Sequence, residues 1–175
     1  MITMTRPQLI EFFNEHVRYE LFIMRHTSEQ LESDKLNQLD WNIMFSAFNV
    51  SARNIYEFLR GKKGNVCVTQ YRPFCRQFQH SDIDDVRTLA EDLNAQCFHM
   101  GEDRKMPANG KVNIAKIQTL ARWLESNMSE LERHFDDDFR TALQSEYERQ
   151  RTLSVSAENP TSSAAVSIVS TGSNT

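Results

Sequence analysis

Leu9, Phe13, Val17, Leu21, Met24 and Leu31 recur at intervals of three, four or seven residues. That spacing returns each side chain to one side of a 3.6-residue helix and to no fixed side of a strand. Thr5 is placed to cap this helix, and Pro7 falls in the first turn, where a missing N–H does no harm. The period predicts one helix from Thr5 to near Ser33. A second follows from Lys35 to Arg60, with Leu36, Leu39, Ile43, Ala47, Val50, Ile55 and Phe58 expected on its core side. Trp41, Met44, Phe45 and Phe48 widen that apolar surface. The short Ser33-Asp34-Lys35 break between the two leaves room only for an antiparallel pair.

Gly61 and Gly64 end the second helix. Residues 61–80 read as irregular, with Val66–Val68 the one strand-like run. Ser81 and Asp84 form a capping-box-like start for a third helix, whose core side is Ile83, Val86, Leu89, Leu93 and Cys97. Residues 100–111 read as a loop, and Asn113 caps a fourth helix. Ile114, Ile117, Ala121, Leu124, Met128, Leu131 and Phe135 form its stripe, and the pattern runs on through Phe139 and Leu143 to near Arg149. Asp136, Asp137 and Asp138 mark either a kink or a fresh helix start. From Thr152 onward Ser, Thr, Asn, Ala and Gly dominate, a composition too poor in apolar groups to offset ordering entropy. The expectation is an all-α antiparallel bundle of four to five helices over residues 1–151, followed by a disordered Ser/Thr-rich tail over 152–175.

Only five glycines and four prolines occur in 175 residues, which suits long helices better than a turn-rich sandwich. The net charge of −4 excludes a chain that is basic overall, so nucleic-acid binding would have to come from a local patch. No basic leader precedes an apolar run, and no stretch approaches the roughly 20 apolar residues of a membrane span. Cys67, Cys75 and Cys97 are odd in number and not closely paired, which predicts free thiols and a cytoplasmic location. Together with His80 and His99 they lack the Cys-x2-Cys or His-x3–5-His spacing of a zinc site. No metal or other cofactor is expected.

Two segments carry chemistry. Arg53-Asn54-Ile55-Tyr56-Glu57-Phe58-Leu59 puts charge and amide groups into an otherwise apolar helix. Asn94 and His99 follow on the third helix, with Arg104 beyond it. These segments, with Trp123 on the fourth helix, resemble a group of small bacterial helical proteins of the HEPN class, the higher eukaryotes and prokaryotes nucleotide-binding domain. The likeness spans residues 12–130. It implies an RNA- or nucleotide-binding bundle. In many such domains it implies a metal-independent endoribonuclease in which His serves proton transfer at the RNA 2′-hydroxyl and Arg stabilises phosphate charge. Such sites are usually completed across a homodimer. His99 is then the acid/base, and Asn94 and Arg104 are the phosphate contacts. The catalytic signature, Arg-x4–6-His, is degenerate here, because the positions five to seven before His99 hold Asn94, Leu93 and Asp92.

Each candidate also has a structural reading. His99 would cap helix-end carbonyls, and Asn94 would bridge helices. Arg53 and Asn54 would form a polar network that specifies the bundle, paired with Glu20, Glu57 or a loop carbonyl. Residues 60–80 hold Arg60, Lys62, Lys63, Arg72 and Arg76 with no acidic residue, and Tyr71, Phe74 and Phe78 are interleaved. Cations for phosphate and aromatic faces for bases are the composition of a single-strand RNA contact. The competing reading packs those rings onto the bundle and leaves the charges in water. The rival function is a non-catalytic interaction or scaffold bundle, such as the partner-binding component of a toxin–antitoxin or defence-type system.

Overall fold

A computed structural model describes residues 4–33, 35–61, 66–79, 86–90 and 113–158, with side chains described as far as 151. Every regular element among them is helical. The chain opens with α1 (Arg6–Phe12), a π-helical turn (Phe13–Val17) and α2 (Arg18–Leu31), which form one continuous rod. Thr5 N–H donates to Gln8 Oε1 at 2.9 Å, and Pro7 lies in the first turn. The rod buries Leu9, Phe13, Val17, Leu21, Met24 and Leu31, the side given by its period.

After Asn37, whose Oδ1 accepts from Asp40 N–H at 2.9 Å, α3 runs from Gln38 to Arg60. It packs antiparallel against α2, the most extensive helix pairing among the described residues. Its buried face agrees with expectation at Phe48, Ile55 and Phe58 and differs at Leu39, Ile43 and Val50. Phe48, Ala52, Ile55, Phe58 and Leu59 are buried, whereas Leu39, Ile43 and Val50 are exposed. α3 carries two apolar stripes, and the one with Phe48, Ile55, Phe58 and Leu59, which carries the two phenylalanines, faces the core. Gly61 ends the helix at φ +70°, a left-handed conformation that favours glycine.

Val66–Val68 is not a strand. Val68–Tyr71 forms a 3-10 turn instead, with Gln70 N–H on Cys67 O at 3.0 Å. Residues 86–90 are helical, with Val86 and Leu89 buried. Ile83, Leu93, Cys97, the Ser81 cap and the 100–111 loop lie outside the described residues. Then α4 (Ile114–His134) starts at Asn113, whose Oδ1 accepts from Lys116 N–H at 3.0 Å. It lies antiparallel to α2, joined by Arg25–Glu125 at 3.1 Å and Gln118–Glu32 at 2.6 Å.

At Phe135 the backbone becomes extended and the helix stops. Asp136 Oδ1 accepts from Phe139 N–H at 2.7 Å and starts α5 (Asp137–Glu158). The acidic triplet is therefore a fresh start, and the new helix reaches past the boundary that composition places at 152. It runs beside α1 in the same sense: Arg6 donates to Asp138 O and Asn14 to Leu143 O, both at 3.0 Å. Residues 159–175 lie outside the described residues.

Candidate functional site

The Arg53–Leu59 segment occupies the last two turns of α3. Arg53 Nε donates to Glu57 Oε1 at 3.0 Å, an i,i+4 pair on one helix face. Asn54 Nδ2 donates to Glu20 Oε1 at 2.8 Å, which locks α3 to α2. Tyr56 faces Trp123 of α4, ring centroids 6.0 Å apart, and Arg60 donates to the Tyr56 hydroxyl at 2.8 Å. Trp123 Nε1 is buried and meets no acceptor among the described residues. A phosphate arriving here would have to compete with the carboxylate of Glu57 for Arg53. His99, Asn94 and Arg104 lie outside the described residues, so the structure places the α3 half of the motif alone.

The 66–79 segment is fastened to one end of the bundle by its aromatic residues. Tyr71 is fully buried, and its hydroxyl donates to Leu9 O at 2.9 Å. Its ring packs edge-on to Phe13, Phe58 and Phe139 at 5.6–6.0 Å. Phe74 stacks on Phe139 at 4.5 Å, and Phe78 is partly buried. Tyr71 is therefore corrected from an RNA contact to a core residue, because a ring with no exposed face offers nothing to a base. Cys75 is buried too; its Sγ lies 3.1 Å from Tyr71 O, and burial pushes its thiol up to about 11.

The cations of the segment stay outside. Arg60, Arg72 and Arg76 are exposed, whereas Lys62 and Lys63 lie outside the described residues. Arg76 borders a shallow cleft of about 350 Å³ shared with Gln77, His134 and Asp136. The bundle's other arginines mostly rest on carboxylates. Arg25 holds Glu125, Arg53 holds Glu57, Arg133 holds Glu130, Arg140 holds Asp137 and Arg149 holds Glu146. The Arg133 hydrogen bond keeps Glu130 below the usual carboxylate range, and Arg149 does the same for Glu146. Among the described residues, Arg72 and Arg76 sit on no carboxylate.

One feature was not read from the sequence. The π turn swings Asn14 inward, where it is 7% exposed. Its Oδ1 accepts from Arg18 Nη1 at 2.8 Å, and Arg18 lies over the Phe13 and Tyr147 rings at 5.9 and 5.2 Å. A groove of about 720 Å³ opens beside it, lined by Arg18, Tyr19, Phe22 and Tyr147 among others. The available signal was Asn14 itself, a polar residue between Phe13 and Val17 on the core stripe. No Gly or Pro marks the turn, so periodicity alone does not locate it.

Among the described residues no group of three or more His, Cys, Asp or Glu side chains is arranged to hold a metal, and no helix is long and apolar enough to cross a membrane. Compared with protein-family models, curated proteins and solved structures, the chain matches none of them.

Proposed function

We propose that this chain is a HEPN-like RNA-binding bundle whose RNA-holding surface is the basic segment from Arg60 to Arg76. One observation carries this reading: Arg72 and Arg76 are exposed and, among the described residues, held by no carboxylate, on a segment whose backbone is pinned by Tyr71 and Phe74. A guanidinium free of carboxylate partners can fork onto phosphate oxygens without first losing an ion pair. The pinned backbone lowers the ordering cost of that contact. Recognition is thus through phosphates, because the buried rings leave little for base stacking.

Catalysis, in the same proposal, belongs to His99 as acid/base with Asn94 and Arg104 on the phosphate. Metal plays no part in that chemistry, so it should proceed in EDTA. Single-stranded RNA incubated with the wild type should be cleaved, and the His99→Ala variant should leave it intact while still binding it. No cleavage by either protein removes the enzyme half and leaves the binding half standing. Binding is tested by fluorescence anisotropy of labelled single-stranded RNA. Arg72→Glu with Arg76→Glu should abolish retention at moderate salt, and unchanged retention overturns the proposal.

A second reading, a non-catalytic bundle that binds a protein partner, is favoured by the branched aliphatic residues left exposed along α3. The two readings separate in the anisotropy experiment, since a purely protein-binding bundle would retain no RNA.

A further inference from the structure

We propose that the groove beside the π turn is a binding site for a small zwitterion, a free α-amino acid with an aromatic side chain. The observation is independent of the RNA-binding reading, since no residue of the 60–76 segment lines this groove. Six large apolar side chains are exposed among the described residues, and three of them are Leu39, Ile43 and Val50 of α3. The other three, Tyr19, Phe22 and Tyr147, all line this one groove. Single exposed apolar residues are ordinary, but three rings from two helices gathered at one concavity make a surface suited to another ring. The volume, about 720 Å³, is that of a small-molecule site.

Arg18 supplies the polar end. Asn14, turned inward by the π turn, donates through Nδ2 to Leu143 O at 3.0 Å and accepts from Arg18 Nη1 at 2.8 Å. The guanidinium also lies over the Phe13 and Tyr147 rings. The Arg18 side chain is only 24% exposed, so its position is set before any ligand arrives. Glu132 of α4 comes within 3.7 Å of Arg18 Nη2, an ion pair too long to be a hydrogen bond. Among the described residues each of the two charges therefore keeps hydrogen-bonding capacity for a ligand. The groove's other two charges are already engaged: Arg25 holds Glu125 at 3.1 Å, and Glu15 accepts from Gln150 at 3.2 Å.

A guanidinium and a carboxylate this close match a ligand that carries the two opposite charges on one carbon. A free α-amino acid does so: its carboxylate takes the Arg18 N–H groups, and its ammonium donates to Glu132. An anion alone would be repelled by Glu132, and a cation alone by Arg18. The aromatic side chain then lies against the exposed rings of Tyr19, Phe22 and Tyr147, offset or edge-on.

Saturation-transfer NMR and isothermal titration calorimetry of the full chain with L-phenylalanine, L-tyrosine and L-tryptophan test this. At least one should bind, with its ring protons receiving the strongest transfer. Its N-acetyl derivative lacks the ammonium, its amide lacks the carboxylate, and L-alanine lacks the ring. Each of these should bind more weakly by about tenfold or more, because a charge or a ring of the groove is left unmatched. Phe22→Ala and Glu132→Gln should each weaken binding by a similar factor. Circular dichroism should be unchanged in both variants, because Phe22 is 63% exposed and Glu132 is partly in water. Absence of transfer to all three amino acids overturns the proposal. Equal binding of the N-acetyl or amide form overturns it as well, since rings alone would then account for the contact. Binding that both variants leave unchanged would place the ligand elsewhere and defeat the assignment to this groove.

Discussion

Tyr71 joins three parts of the molecule through one side chain. Its hydroxyl reaches Leu9 O beside the π turn, while its ring fills the space between Phe13, Phe58 and Phe139. Tyr71→Phe keeps the ring and removes the hydrogen bond, so urea unfolding should show a loss of about 1 kcal/mol. Its ionisation has a consequence at high pH. Burial, followed by the nearby Cys67, raises the phenol well above its ordinary value, and burial raises Cys75 to about 11. Below the unfolded-state values both states hold these protons, and stability is insensitive to them. Above them the unfolded chain alone releases protons, so stability falls as pH rises. For Cys75 the window runs from its ordinary 9.0 to about 11. The urea midpoint should therefore be lost progressively across that range and beyond, and Tyr71→Phe should flatten the decline above about pH 10. A midpoint that does not fall there would mean that water reaches both groups in the folded state.

Elements were legible where one stripe decided the matter. The rod from Arg6 to Leu31 and the helix from Ile114 each carry a single apolar face, and capping residues at Thr5 and Asn113 fix where they begin. α3 was harder because apolar residues run along two opposite sides of it, Leu39, Ile43 and Val50 on one and Phe48, Ile55, Phe58 and Leu59 on the other. Periodicity reports that a stripe exists and does not rank two of them. The ranking makes a direct contrast. Ile55→Ala, at a residue 1% exposed, should cost about 2–5 kcal/mol. Ile43→Ala, on the same helix but half exposed, should change stability by less than about 0.5 kcal/mol. Equal losses would mean that the outer face is covered within one chain. The junction after Phe135 was legible as an alternative only, since three aspartates in a row suit a kink and a cap equally. The side chain of Asp136 decides it, and Asp136→Ala should cost about 0.5–2 kcal/mol by removing the bond from Phe139 N–H.

Among the described residues the charges are arranged so that a net −4 chain leaves Arg72 and Arg76 exposed on a segment without acidic residues. Among the described residues Arg18, Arg25, Arg53, Arg133, Arg140 and Arg149 are engaged by neighbouring carboxylates, which makes those helical faces nearly neutral locally. The segment from 60 to 80 escapes this because its sequence contains no acidic residue. That much is legible in the order of the amino acids. Which residues of the segment face water is not, because an aromatic residue between two arginines reads alike whether it stacks on a base or on Phe139. The proposed RNA binding through so few cations would have a quantitative signature. Each phosphate neutralised on a single strand contributes a slope of about −0.7 in log affinity against log salt. Arg60, Arg72 and Arg76 alone would give a slope near about −2, and charge removal at Arg72 and Arg76 should reduce it by about 1.4. The contrast with the paired arginines sharpens the test: Arg25→Ala should leave the slope unchanged, because that guanidinium already rests on Glu125 at 3.1 Å. A slope that drops equally for Arg25→Ala and Arg72→Ala would show that the polyanion spreads over the bundle, and the distinction between paired and unpaired arginines would then have no bearing on where it binds.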